Sequence, residues 1–209
     1  MHQINDGSFS PIESGVNLSE FSGKLDVEKS AMVGHSMGGA TVASTLSRDN
    51  RFKVGVAMDL WGYPLDDEIY KKLTKSVPML LINTNAFNWP ANLNQQRRLD
   101  GDTTVDHVER TMVTIRDTVH QSQADSPYFL SSQYLSKKLL FRGELEPERA
   151  TRLNSELAVS FVGKYLKTEF AREISEIVKE NSELFFGSNI EVDEAKVKIS
   201  KERIRQHKL

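Results

Sequence analysis

The stretch "SAMVGHSMGGATVAS", residues 30–44, decides the fold. An apolar segment runs into a G-x-S-x-G motif at 34–38, and a helical pattern of small residues follows at once. Between a strand and a helix this motif is the nucleophile elbow, a sharp turn that exposes a serine hydroxyl at the end of a sheet. The motif predicts Ser36 as a nucleophile. The backbone N–H of Met37, at the helix N-terminus, is the expected oxyanion donor.

The rest of the chain alternates in the same way. Apolar segments predict strands at 30–36, 53–61, 77–84 and 110–120, and amphipathic segments predict helices at 37–49, 64–75, 89–99 and 147–167. Near-continuous apolar strands separated by helices are typical of a parallel sheet covered on both faces, which is an α/β fold. We expect a polar lead-in at 1–24, one domain at 25–186 and a peripheral tail at 187–209.

Composition excludes several classes of function. Lys and Arg total 27 against 29 Asp and Glu, so we expect no nucleic-acid partner. The chain has no cysteine, which removes disulfides and thiolate metal sites. Its five histidines show no paired spacing, so neither a metal nor another cofactor is expected. The compartment stays open between secreted and cytoplasmic.

A serine nucleophile needs a histidine base and an acid that orients it. His120 closes the last predicted strand, at the sheet edge where Ser36 is expected, and is favoured as the base. A polar strand cap is the alternative. His2 and His207 lie near the termini, and His107 lies in a charged loop. The remaining one, His35, is expected to point away from the serine.

Asp59 is the favoured acid because it follows the apolar run "VGVAM" at the same edge of the sheet. A carboxylate there is costly to desolvate unless a partner such as protonated His120 offsets the cost. Asp117 and Asp125 flank the histidine but lie on or beyond its own strand. A helix cap or a buried ion pair is the alternative role for Asp59.

Three blocks of sequence carry a family resemblance: "GHSMGGATVASTLSRDNRFKVGVAMDLWGYPL" at 34–65, "NTNAFNWPAN" at 83–92 and "VTIRDTVHQSQAD" at 113–125. Over about 25–168 the chain resembles the platelet-activating factor acetylhydrolases of the plasma and intracellular type II group. The resemblance implies an α/β-hydrolase fold and calcium-independent release of short or oxidised sn-2 acyl chains from phospholipids. It implies the triad Ser36, Asp59 and His120. Met37 stands where an aromatic residue is common.

A second departure from the family concerns the N-terminal side. Only some 29 residues precede the elbow strand, and they contain no convincing strand. The chain is therefore expected to be a C-terminal portion that lacks the first strands and the second oxyanion donor, which lies on the loop after the third strand. The strand that carries Ser36 should then form an exposed apolar edge. We expect the chain alone to be a poor enzyme and prone to aggregate.

Substrate contacts are predicted at two places. Trp61, Phe87 and Trp89 follow strand ends and are candidates for an acyl pocket, with ordinary core packing as the alternative. The stretch "YFLSSQYLSKKLLF", residues 128–141, joins aromatic and leucine residues to two lysines, a pattern that suits a membrane or lipoprotein surface as well as core packing. A phospholipid esterase is the favoured function. The alternatives are an esterase for another small substrate and a catalytically impaired fragment.

Overall fold

Five strands form one sheet, and their order in space follows their order along the chain. The computed structural model describes residues 18–73, 77–87, 89–100, 108–129 and 132–188. The strands are β1 (Ser30–His35), β2 (Phe52–Met58), β3 (Met79–Thr84), β4 (Arg110–Ile115) and β5 (Leu184–Phe186). The first four are parallel, and β5 pairs antiparallel with β4. The mostly parallel sheet agrees with the prediction, whereas β5 was not predicted from the sequence.

Helices connect the parallel strands. They are α1 (Met37–Leu46), α2 (Asp67–Leu73), α3 (Pro90–Asp100), α4 (Gln133–Lys138), α5 (Pro147–Leu166) and α6 (Ile174–Glu180). Short 3-10 helices lie at Leu18–Phe21, Asn85–Phe87, His120–Gln123 and Ser126–Tyr128. Within the described residues, none of these helices has both the length and the apolar character needed to cross a bilayer. The ends of the chain, 1–17 and 189–209, lie outside the described residues and include most of the predicted lead-in and tail.

Each face of the sheet has its own apolar core. One cluster joins the helices α1 and α2 to strand residues such as Ala57, Met79 and Leu81. On the other face, α5 and α6 cover Val54, Val56, Leu80 and Ile82 with a second cluster. Leu153, Leu157 and Phe161 of α5 are fully buried there, as the amphipathic pattern of 147–167 predicted. Each such side chain stabilises the fold by about 1.5–3 kcal/mol.

Two predicted strands extend too far. The second strand ends at Met58, because Asp59 turns the chain out of the sheet with φ 43°. The fourth strand ends at Ile115, and Asp117 then adopts φ 59°. His120 therefore does not close the strand; it begins a 3-10 helix beyond a turn. Apolar residues therefore predicted the positions of these strands, but the turns at Asp59 and Asp117 determine where the strands end.

Strand β1 lies at the edge of the sheet and pairs only with β2 among the described strands. Val33, in its centre, is 50% exposed. The prediction of an exposed apolar edge at the strand before Ser36 is thus confirmed. Because β1 carries no proline and no charged residue, nothing in its own sequence protects this edge from pairing with another chain.

Candidate functional site

Ser36 lies at the turn between β1 and α1 with φ 59° and ψ −117°. A non-glycine residue with positive φ is strained and persists only where its surroundings hold it. Hydrogen bonds supply that support: the Ser36 N–H donates to the carbonyl of Met58 at 2.9 Å, and its own carbonyl accepts from Gly39 at 3.0 Å and Trp61 at 3.2 Å. The strained turn that the elbow motif predicted is present.

The two glycines of the motif differ in their surroundings. A Cβ on Gly34 would lie 2.3 Å from the carbonyl oxygen of Gly38, so the first glycine allows α1 to approach the end of β1. The motif would also predict a steric need for the second glycine, but a Cβ on Gly38 would meet no described atom within 4 Å, so that prediction is wrong. The close approach of the helix to the chain after β2 occurs one residue later, where a Cβ on Gly39 would lie 3.1 Å from Leu60 Cα.

Asp59 follows β2 directly and is fully buried. Three donors surround its carboxylate. The Thr84 N–H donates to Oδ1 at 2.6 Å, the Thr84 hydroxyl donates to Oδ2 at 2.6 Å, and His120 Nδ1 lies 3.0 Å from Oδ2. Burial raises the pKa of Asp59, while the hydrogen bonds from His120 and Thr84 act in the opposite direction. A carboxylate held in this way can orient an imidazole and stabilise its positive charge.

The ends of neighbouring strands bring these residues to one edge of the sheet. His35 and Met58 are register partners in β1 and β2, so Ser36 and Asp59 leave the sheet side by side. His120 reaches the same edge from the loop after β4, and 25% of its side chain is exposed. The loop is anchored where Gln123 Nε2 donates to the carbonyl of Ile82 at 3.1 Å.

His35 lies closer to this centre than the sequence indicated. Its ring centroid is 4.4 Å from that of His120. Burial lowers the pKa of His35 to about 4, and the nearby His120 adds to the effect, while a backbone hydrogen bond with His120 opposes it. His35 is therefore neutral at physiological pH. Sequence alternation alone could not reveal this contact, because His120 approaches from a distant loop.

Three potential metal-ligand atoms lie within 4.8 Å of one another at this centre, one each from His35, Asp59 and His120. This grouping was not predicted from the sequence, in which the two histidines are 85 positions apart. Both oxygens of Asp59 already accept hydrogen bonds from Thr84, and Oδ2 also faces His120. The donor set therefore suits a hydrogen-bonded carboxylate–imidazole pair better than an open metal site.

A buried amide network fixes the loop that follows Asp59. The carbonyl of Leu60 accepts hydrogen bonds from Asn92 Nδ2 at 2.8 Å and Gln96 Nε2 at 2.9 Å. Asn92 Oδ1 accepts from the Gly62 N–H at 2.8 Å, and Gln96 Oε1 accepts from Asn83 Nδ2 at 2.5 Å. The sequence did not predict this network, because polar residues on a helix are usually expected to face solvent.

The predicted pocket aromatics lie at the same edge but differ in their contacts. Trp61 is half-buried and stacks on Tyr63 with 5.9 Å between ring centroids. Trp89 is 39% exposed and meets Phe87 edge to face at 4.5 Å. Phe87 also stacks on His120 at 3.9 Å, with 14° between the ring planes. Their role as pocket residues stays a prediction.

Five other residues were candidates for the base or the acid. His2, His107 and His207 lie outside the described residues. Asp117 and Asp125, the alternative acids, are both exposed. Of the acids that the sequence offered, the structure brings only Asp59 into hydrogen-bonding contact with His120 among the described residues.

The architecture has a counterpart among solved structures. A ferulic acid esterase from Streptomyces cinnamoneus superposes with a TM-score of 0.59 at 16% identity, over 88% of this chain and 52% of that one. With its mostly parallel sheet and flanking helices, the chain has the α/β-hydrolase fold.

The sequence relationships are more specific. The profile of the family "Platelet-activating factor acetylhydrolase, isoform II" matches residues 1–184, and the chain belongs to this family. It is 32% identical over 176 residues to the platelet-activating factor acetylhydrolase of Bos taurus and 31% identical over 183 residues to that of Gallus gallus. These matches cover 83% and 87% of this chain, but 38% and 42% of the relatives. The chain thus spans about two fifths of the length of these relatives.

Proposed function

We propose that this chain carries the centre of a serine ester hydrolase, with Ser36 as nucleophile, His120 as general base and Asp59 as the acid that orients it. The observation that carries the proposal is the 3.0 Å contact between His120 Nδ1 and the buried Asp59 carboxylate, at the sheet edge where the strained Ser36 turn emerges. The backbone N–H of Met37, in the first turn of α1, has no acceptor within the helix and is available to an oxyanion.

The chemistry follows from these positions. Ser36 Oγ attacks the ester carbonyl while its proton passes to His120 Nε2, and the Asp59 carboxylate stabilises the imidazolium that forms. The Met37 N–H donates to the oxyanion of the tetrahedral intermediate. When the intermediate collapses, His120 returns the proton to the leaving alcohol and an acyl-Ser36 ester remains. Water, deprotonated by His120, then attacks that ester, releases the carboxylic acid and regenerates the serine.

We propose as substrate the sn-2 acetyl or short acyl ester of phospholipids that resemble platelet-activating factor. Membership of the family and the names of the relatives support this choice. The aromatic side chains of Trp61 and Trp89 near the strand ends offer apolar surface to such a chain. An esterase for another small substrate and an impaired fragment are the competing readings.

A fluorophosphonate probe tests the proposed centre directly. It reacts only with a serine that a neighbouring base activates, so we expect it to label the folded chain at Ser36 and to leave Ser36→Ala unlabelled. Hydrolysis of a series of sn-2 esters, from acetyl to long acyl, should then be fastest for the short chains and absent in Ser36→Ala. Peptide mapping of the adduct and release of free acid are the two measurements.

Each competing reading has its own outcome. A folded chain that the probe does not label would contradict an assembled centre and favour the impaired fragment. Labelling at Ser36 with hydrolysis of simple esters, but none of the phospholipids, would support another small substrate. Heat-denatured chain is the control for non-specific labelling.

We propose further that the segment 128–141 contacts a lipid surface. Six of its apolar side chains are exposed: Tyr128 47%, Phe129 76%, Tyr134 77%, Leu135 42%, Leu139 50% and Leu140 66%. Core packing would bury them, so their exposure favours the surface reading. Lys138 beside them suits anionic headgroups, whereas Lys137 forms an ion pair with Glu144. Such a contact would bring the edge that carries His120 to a membrane or a lipoprotein.

Replacing Phe129 and Tyr134 together by serine is expected to weaken binding to phosphatidylcholine vesicles at least about tenfold, because each aromatic ring contributes roughly 1.5–3 kcal/mol when it leaves water. Sedimentation with vesicles measures the effect. Phe170→Ser, at another exposed aromatic residue, is the matched control. Equal binding by the double variant and the unchanged chain would contradict the proposed contact.

A further inference from the structure

We propose that Phe87 and His35 are positioning residues that clamp the two faces of the His120 imidazole. The inference rests on the proposed function, because it assigns these rings a task in that centre. Phe87 lies nearly parallel to the imidazole at 3.9 Å and 14° and covers one face. His35, at 4.4 Å and tilted by 35°, is too close to lie beside the ring in its plane. Because Phe87 fills one face, we infer that His35 covers the other.

A clamp is needed because one hydrogen bond does not fix an imidazole. The contact between Nδ1 and Asp59 Oδ2 sets one edge of the ring but leaves the ring free to tilt about that bond. His120 begins a short 3-10 helix beyond a turn, and its backbone alone does not set the tilt of the ring. The reaction requires His120 Nε2 to face Ser36. Small errors in the orientation of the imidazole would strongly reduce the rate of hydrolysis. Two flat neighbours remove the tilt.

The chemical character of the two rings suits the positive charge that His120 carries during the reaction. The face of a phenyl ring is electron-rich and favours a cation above it. His35 contributes no repulsion, because it is neutral: burial, together with the nearby His120, lowers its pKa to about 4. Among the described residues, the titratable groups that contact the ring are thus Asp59, after β2, which attracts the imidazolium, and neutral His35 at the end of β1.

This role for Phe87 differs from the acyl-pocket role predicted from sequence. One face of the ring is occupied by His120, and Trp89 makes an edge-to-face contact with it. A pocket residue would act on substrate binding, and its replacement would change KM and the preferred chain length. A clamp acts on the base, and its replacement lowers kcat equally for every acyl chain.

The test compares Phe87→Leu, which keeps an apolar side chain but no flat face, with Phe87→Tyr, which restores the ring. His35→Gln removes the second ring without adding charge. For Phe87→Leu we expect kcat to fall about tenfold with KM changed less than twofold. Proton NMR of the substrate-free chain should show the low-field signal of the Nδ1–H bonded to Asp59 broadened or lost in Phe87→Leu and His35→Gln, and restored in Phe87→Tyr. Phe170→Leu is the control for a remote phenylalanine.

The two proposals fail in different ways. An unchanged low-field signal in both Phe87→Leu and His35→Gln would overturn the clamp, as would a change confined to KM and chain-length preference. A wild-type chain that shows the signal but neither hydrolyses esters nor reacts with fluorophosphonate would overturn the proposed function. The NMR comparison would still decide the clamp in that case, because it needs no turnover.

Discussion

Asp59→Asn is expected to lower kcat/KM by about 10³–10⁴-fold with little change in KM, because triad hydrolases lose about that much when the acid becomes an amide. Asp59 accepts three hydrogen bonds, from the Thr84 N–H, the Thr84 hydroxyl and His120 Nδ1. An amide has one acceptor oxygen, so its NH₂ group must face a donor on one side. If that side is His120, the imidazole adopts the wrong tautomer, and in either orientation the imidazolium loses its counter-charge.

The measurement is the rate of hydrolysis of a soluble short-chain ester, together with the rate of fluorophosphonate labelling. Asp117→Asn and Asp125→Asn are matched controls, since both are exposed carboxylates near the histidine in sequence, and each should retain activity within about twofold. Circular dichroism shows whether the variant is folded. A folded Asp59→Asn with nearly full activity, or an equal loss in Asp125→Asn, would remove Asp59 from the proposed triad.

The parts of the fold that could be predicted are those that local sequence determines. The G-x-S-x-G motif fixes the turn at Ser36 because glycine at 34 is the residue that the close helix allows. Four apolar segments predicted the parallel strands, and the amphipathic pattern of 147–167 predicted the buried face of α5. Asp59 was found because a charge directly after an apolar run is unusual and demands a partner.

The rest depends on contacts between distant segments. Strand β5 is only three residues long and pairs with β4 about 70 positions earlier in the chain, so no local pattern marks it. The amides Asn92 and Gln96 lie on a helix of ordinary polar composition, and only the loop packed against them shows that they are buried. The role of Thr84 could not be predicted for the same reason. Its hydroxyl donates to the Asp59 carboxylate from the neighbouring strand, a contact that no local pattern shows.

The difference between Gly34 and Gly38 leads to a prediction about stability. Gly34→Ala would place a Cβ 2.3 Å from the carbonyl oxygen and 2.5 Å from the carbonyl carbon of Gly38, and 3.0 Å from Val42 Cγ2. Two of these neighbours are backbone atoms in the first turn of α1, so no side-chain rotation relieves the clash. The helix must therefore move away from β1. We expect the free energy of unfolding to fall by about 3 kcal/mol or more. Since domains are stable by only about 5–15 kcal/mol, the substitution would remove a large share of the stability of the fold.

Gly38→Ala isolates this steric cause, because it adds the same methyl group at the other glycine of the motif, where no atom of the described residues lies within 4 Å. Position 38 is helical, and alanine is favoured over glycine there by up to about 1 kcal/mol, so this variant should be as stable as the unchanged chain or slightly more stable. Urea denaturation followed by circular dichroism measures both. Equal stability of the two variants would mean that α1 can shift away from β1 at little cost. The strained backbone of Ser36 would then lack the rigid support that holds its hydroxyl in place.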